Sequence, residues 1–285
     1  MTIGVVGNPE YAGLDEVLAE LRELAGDRGA GVVVSEELDD LDGSSGGPLE
    51  ERWDEIDVVL TLGGDGTLLR GARMAGPRHI PLVGCNLGRL GFLTTGALDE
   101  LESIVDRTVR GDYELEERVA LDVRVGRGED SFYALNDAVV HKTGFARLMT
   151  MRLYLDGEEV GQYSGDGIVI STATGSTAYS LSAGGPIMHP SMDALLATPI
   201  CPHTLAVRPL VVPGDSRLTV EVVSESEEET VVTVDGQVGS RMERGERVEL
   251  KAAEEPFRLV RFAGDDFFNV LRQKLRWGDV RPRDA

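Results

Sequence analysis

Up to about residue 97 short apolar runs alternate with stretches of helical spacing; beyond it the helical spacing almost vanishes until the chain's last residues. That change of rhythm limits the chain to few architectures. Residues 3–6, 31–34, 56–62 and 80–84 read as short buried strands. Between the first two, Leu14, Val17, Leu18, Leu21 and Leu24 recur at helical spacing, with Asp15, Glu16, Glu20 and Glu23 on the wet side. A second helix is expected from about Thr67. Strands alternating with helices imply a mostly parallel sheet with helices on its faces. After a helix over 98–108, strand-type runs crowd together at 119–125, 132–140, 148–155, 167–171, 218–223, 231–234 and 247–250. Such density implies an all-β, sandwich-like layer. Residues 266–277 regain helical spacing through Phe267, Val270, Leu271 and Leu275. The expectation is an α/β domain over 1–97, joined by a C-terminal helix within 263–285, and a β-rich domain over 98–262. The acidic, Gly/Ser-rich stretch 39–48 reads as an exposed loop and the charge run 224–229 as a hairpin tip.

With 285 residues the chain is long enough for two cores. Its net charge of −22 argues against a nucleic-acid or anionic-membrane binder, which needs a basic face. Lys142, Lys251 and Lys274 are its only lysines. A surface rich in Asp and Glu and nearly free of Lys resembles that of proteins from salt-loving cells, where screening relieves self-repulsion. Cys85 and Cys201 are too few for a disulfide framework. With no signal peptide and no apolar stretch of membrane-spanning length, they indicate a cytoplasmic protein.

Between an apolar strand and a helix lies Gly63-Gly64-Asp65-Gly66-Thr67. Glycines there permit a tight turn and bring N–H groups close to phosphates. A plain strand-to-helix turn capped by Asp65 is the simpler reading. A pure phosphate cradle, however, gains nothing from a carboxylate. A site that takes a proton from a hydroxyl, or holds Mg²⁺ near phosphates, needs one. Leu69 stands where a dinucleotide fingerprint has its third glycine, and no P-loop occurs. Residues 86–93, beginning Asn86-Leu87-Gly88-Arg89, follow the fourth strand, where open α/β sheets bind ligands. Asn136-Asp137 interrupts a β-like run and suits paired hydrogen bonds to ribose hydroxyls; an edge strand or bulge would look the same. After Asp166-Gly167, the segment 174–186 packs Thr174, Ser176, Thr177, Ala178, Ser180 and Ser182 around Tyr179. Hydroxyls donate to phosphates and a tyrosine covers a flat ring. Asp235-Gly236-Gln237 reads as a turn. The four histidines show no spacing that makes a metal site.

In order and spacing these motifs resemble those of NAD kinases, over nearly the whole chain, and in composition the chain resembles haloarchaeal members. Gly-Gly-Asp-Gly alone is shared with lipid kinases and 6-phosphofructokinases; the stretch 174–180 is far more specific. The resemblance implies phosphorylation of the 2′-hydroxyl of the adenosine ribose of NAD by ATP or polyphosphate, with Mg²⁺ or Mn²⁺, in a cleft between the two domains. It places the catalytic carboxylate on Asp65, with Gly66 beside it; Gly63, Gly64, Thr67 and Asn86 are further candidate binding residues. NAD contacts fall on Asn136, Asp137, Asp166, Thr174, the run 176–182 and Gln237, and a basic position on Arg147. Arg70, about one helical turn after Asp65, could reach a phosphate. Where some members carry an Arg, this chain has Ser164. A homodimer or tetramer is implied as well. No residue is assigned to the metal. A lipid-type kinase should show a basic membrane face, and a non-catalytic NAD sensor should lack Asp65. A dehydrogenase should have the full fingerprint.

Overall fold

The computed structural model describes residues 1–39, 47–88, 91–126, 130–143, 149–204, 206–223, 230–262 and 267–276. The chain forms two compact units, one of Met1–Glu116 with Arg258–Ala285 and the other of Glu117–Phe257.

The first unit is built on strands β1 (Thr2–Gly7), β2 (Gly31–Val34), β3 (Val58–Leu62), β4 (Leu82–Asn86), β5 (Gly96–Ala97), β6 (Glu114–Arg118) and, from the far end of the chain, β19 (Phe257–Arg261). The sheet runs β2-β1-β3-β4-β19-β6, with β5 also beside β4. The pairs β1–β2, β1–β3, β3–β4 and β4–β19 are parallel. Every residue of β3 and β4 is buried, as expected of parallel strands covered on both faces. Helices α1 (Leu14–Asp27), α2 (Asp65–Ala75) and α3 (Leu101–Arg110) complete the βαβ pattern. Of the expected stripe on α1, Leu14, Val17, Leu18 and Leu21 are buried and Leu24 is half-buried, and Ala25 joins the buried face. Each such leucine contributes about 1.5–3 kcal/mol by leaving water.

The boundary at residue 97 lies too early, and the one at 262 slightly late. Leu101, Ile104 and Val105 of α3 bury into the same core as Ile3, Leu60 and Val83, and Arg28, just past the end of α1, binds Asp106 at 3.0 Å. Val260 of β19 lies in that core too, and Leu259 registers with Leu82. Apolar burial, rather than the change of strand density, decides where these segments belong. The tail helix, α5 (Phe267–Leu275), counts with this unit as well, whereas the short α4 (Tyr179–Ser182) belongs to the second.

The second unit is two six-stranded sheets. One runs β11 (Glu158–Gly165), β10 (Met149–Leu155), β15 (Leu218–Val222), β18 (Arg247–Ala252), β7 (Leu121–Val125), β8 (Asp130–Ala134). The other runs β14 (Leu210–Pro213), β13 (Ala194–Ile200), β12 (Gly167–Thr172), β9 (Asp137–Lys142), β16 (Thr230–Val234), β17 (Val238–Met242). The paired strands within them are antiparallel. Alternate residues of both sheets, among them Leu121, Val123, Val220, Val140, Ile170 and Val232, share one core, which makes the unit a β-sandwich. The run 132–140, read as one strand, is two: β8 ends at Ala134 in one sheet and β9 begins at Asp137 in the other. The polar pair at 136–137 marks that change of sheet. Of the sequence features, the stretch 40–46, Arg89, Arg147 and the run 224–229 lie outside the described residues.

Candidate active site

In the first unit the chain leaves β3 through a turn that only glycine fits. A Cβ at position 63 would stand 2.2 Å from Thr67 Oγ1, so the Thr67 hydroxyl packs beneath the turn. Gly64, extended, precedes the first helical residue, Asp65. Gly64 and Gly66 are exposed, and nothing among the described residues lies within 4 Å of where a Cβ at Gly64 would be. The start of α2 is therefore approachable by a bulky anion.

Asp65 is not a helix cap. Its carboxylate reaches across to the loop after β4, where Oδ2 accepts the Phe92 N–H at 2.9 Å and Oδ1 the Leu93 N–H at 3.0 Å. Gly91 allows this approach, since a Cβ there would stand 2.0 Å from Asp65 Oδ1. Lys274 of α5 places Nζ 3.6 Å from Asp65 Oδ2 and 4.9 Å from the centre of the Phe92 ring. Arg261 holds the same loop from its carbonyl side, through Leu93 O at 3.3 Å and Phe92 O at 3.5 Å, while binding Glu116 at 2.9 Å. Local sequence pattern does not reveal Lys274 and Arg261, because their contacts with Asp65 and this loop span more than 150 positions. Asn86, buried at the end of β4, accepts the Gly88 N–H at 3.1 Å and shapes the loop's start. Arg70 is not aimed at an open phosphate position: its guanidinium donates to the Gly7 carbonyl and pairs with Glu37. Burial, reinforced by Glu100, Asp99 and Glu20, pushes the Cys85 thiol up to about 12, so it is unreactive.

In the second unit the pair at 136–137 is held from two directions. Asp235 Oδ1 accepts the N–H groups of Asn136 at 2.8 Å and Asp137 at 3.2 Å, and Oδ2 that of Leu135 at 3.1 Å. From the other side, the Thr172 N–H donates to Asn136 O at 2.9 Å and its hydroxyl to Leu135 O at 2.7 Å. Gly175 lies so close that a Cβ would stand 2.1 Å from Asn136 O. Asp137 is 5% exposed. Burial, and then the charge of Asp235, push its carboxyl from an ordinary value of 3.8 up to about 7.

The segment 174–182 divides into two kinds of hydroxyl. Ser176 is fully buried; its Oγ donates to Ala173 O at 2.7 Å and accepts the Met188 N–H at 2.9 Å. Ser180 Oγ pairs with Thr198 Oγ1 at 2.7 Å, also buried. These two serines stitch the segment down, so the expectation that their hydroxyls face a ligand gives way to an internal role. Thr174, nearly buried, receives a bond from Arg118 Nη1 at 3.2 Å. Thr177 and Ala178 are half-buried, and Tyr179 and Ser182 are exposed, with Tyr179 at 47%. Gln237 is exposed just after the Asp235-Gly236 turn. Asp166 is paired with Lys142 at 2.9 Å, and Ser164 with Thr150 at 2.9 Å.

The α/β unit thus presents one carboxylate at a glycine turn, and the β-sandwich an Asn-Asp pair and an exposed tyrosine. Residues 3–113 match the family model of the ATP-NAD kinase N-terminal domain, and 135–262 that of the C-terminal domain. The chain belongs to the NAD kinase family. It is 48% identical to the NAD kinase of Gemmatimonas aurantiaca over 100% of this chain and 99% of that protein. It is 43% identical to that of Heliobacterium modesticaldum over 97% and 99%. The crystal structure of yeast NADH kinase complexed with NADH superposes with a TM-score of 0.88 at 25% identity, covering 100% of this chain and 90% of that one. An NAD kinase from Archaeoglobus fulgidus in complex with ATP gives 0.78 at 27%, covering 97% and 99%. These two sequence relatives are bacterial, and a haloarchaeal kinship is not shown.

Proposed function

We propose that this chain transfers the terminal phosphoryl group of ATP to the 2′-hydroxyl of the adenosine ribose of NAD, giving NADP and ADP. The observation that carries the reading is Asp65, a partly exposed carboxylate fixed by two loop amides beside an open glycine turn. The bond from ribose O2′ to the phosphorus forms while the bond from phosphorus to the ADP oxygen breaks, and ADP leaves with that electron pair. The hydroxyl proton passes to an Asp65 oxygen. Such transfers have a loose transition state, so the chain's task is placement and electrostatic support. Gly64 and Gly66, exposed at the start of α2, admit the phosphates, and Asn136 and Asp137 hold the ribose. Tyr179 covers a ring of the dinucleotide.

Among the described residues no three of His, Cys, Asp and Glu gather into a metal cluster. One carboxylate beside a triphosphate nevertheless fits Mg²⁺ or Mn²⁺, which binds through one or two carboxylates plus substrate phosphates. When bound it would neutralise phosphate oxygens, with Asp65 the carboxylate placed to touch it. On this reading the first unit serves the donor and the second the dinucleotide. A purified-protein assay settles the matter, with NAD or NADH, Mg²⁺, and ATP or polyphosphate in parallel arms and NADP(H) as readout. Product is expected with ATP. Folded protein that makes none from either donor, or that phosphorylates diacylglycerol instead, overturns the proposal.

Three finer readings belong with it. Self-association into a dimer or tetramer is supported by open sheet edges and is checked by light scattering. Cytoplasmic residence fits two unpaired cysteines, and no helix among the described residues is long and apolar enough to cross a membrane. A charge of −22 predicts a melting temperature that rises with KCl; an equal or higher one at low salt removes the halophilic reading.

A further inference from the structure

In the sequence Asp235-Gly236 reads as a turn and no more. In the structure it joins β16 to β17 with both residues at positive φ, 48° and 66°, and the Gln237 N–H returns to Val234 O at 3.0 Å. That is the pattern of a type I′ turn. Glycine takes such a backbone freely and aspartate is among the few other residues that tolerate it. The left-handed backbone turns the Asp235 side chain inward, where it is 8% exposed. Its two oxygens collect the three consecutive N–H groups of residues 135–137, and its own N–H donates to Asp137 O at 2.9 Å. The segment so gripped is the change of sheet between β8 and β9, which has no complete ladder of its own to hold it.

We propose that Asp235 is a positioning residue for the dinucleotide: its carboxylate fixes the backbone at 135–137 so that Asn136 and Asp137 meet the ribose in one geometry. The proposal rests on the reading of Asn136 and Asp137 as NAD contacts. Two features make the carboxylate specific. Two acceptor oxygens serve three donors, whereas an asparagine offers one oxygen and sets an NH₂ against at least one N–H. The opposite side is rigid, because Thr172 and Gly175 close on the same peptide, so loss of Asp235 loosens one side only.

The test compares Asp235→Asn with Asn136→Ala in steady-state assays that vary NAD and ATP separately. Asn tolerates the left-handed turn, so the hairpin should persist. The expected result is a KM for NAD raised about tenfold or more, with the KM for ATP and kcat within about threefold of wild type. A purely structural role would lower the melting temperature without that split. The double variant should be less than additive, since Asp235 acts through Asn136. If Asn136→Ala raises the KM for NAD and Asp235→Asn does not, the positioning role is wrong. If Asn136→Ala itself leaves that KM unchanged, the ribose reading fails and this proposal with it. Should Asp235→Asn fail to fold, Asp235→Glu carries the same expectation, because the longer side chain displaces the three amides.

Discussion

Asp65 in the first unit and Asp137 in the second belong to one residue type, yet their surroundings are opposite. Asp65 is partly exposed, accepts two main-chain N–H groups and has an ammonium 3.6 Å away. Asp137 is buried, and the charge beside it is the like charge of Asp235. The main-chain N–H groups on that side, including Asp137's own, go to Asp235 instead. One unit thus surrounds its carboxylate with donors, and the other withholds them from Asp137 and gives them to a neighbour. The proton a carboxylate offers or accepts is set by such surroundings rather than by residue type. On the proposed reading, Asp65 works among phosphates and cations, and Asp137 meets a neutral hydroxyl.

The largest effect that could break this contrast is expected from Asp65→Asn. A positioned base contributes about 10²–10⁴-fold, so kcat should fall in that range. The substitution is not structurally silent. The amide's NH₂ would face the N–H of Phe92 or Leu93, and a lost bond of this kind costs about 1–3 kcal/mol. A thermal melt should therefore show modest destabilisation, while NAD binding, which the proposed function gives to the other unit, should persist. Near-normal kcat in the folded variant would remove Asp65 from the chemistry.

Two glycines sharpen the contrast at smaller cost. Gly91→Ala drives a methyl into Asp65 Oδ1, and Gly175→Ala drives one into Asn136 O. The first should lower kcat by tens of fold, roughly the penalty of a misplaced group, and leave the KM for NAD near wild type. The second should raise the KM for NAD and spare that for ATP. If both variants show the same kinetic change, the division of labour between the units is wrong.

Much of this was readable from the residues, and what was not has a physical reason. The turn at 63–67, the stripe on α1 and the sandwich strands follow from local periodicity. Asp65 stood out because a carboxylate among glycines is chemically odd. Lys274 and Arg261 do not, because a basic residue in an amphipathic tail or at a strand end looks like any solvated one until the fold brings it to Asp65 and the loop at 92–94. Ser176 and Ser180 misled for the converse reason. Hydroxyls dense enough for a phosphate site serve equally well to satisfy a buried, irregular segment, and spacing does not separate the two. Asp235 looked like a turn because it is one; only its positive φ reveals where the carboxylate goes.

The smallest effect concerns the proton on Asp137. Its carboxyl is raised to about 7, mainly by burial and further by Asp235. Below that pH it is mostly neutral and a poor acceptor; above it, on the proposed reading, the carboxylate would accept a ribose hydroxyl in a charge-assisted bond. The KM for NAD should therefore fall as pH rises through about 7, by roughly threefold to tenfold, the worth of about 1 kcal/mol. Stability should move the opposite way. A carboxyl raised in the folded state stabilises fully below its unfolded value, near 4, and that contribution is lost as pH rises through about 7. Asp137→Asn titrates in neither state, so the variant should lack both trends. The check is the KM for NAD and the melting temperature of each protein across pH 5.5 to 8.5, read as the difference between them so that other titrating groups cancel. An inflection near 7 that survives in the asparagine variant would assign the proton elsewhere, and the opposition between the two aspartates would lose its electrostatic basis.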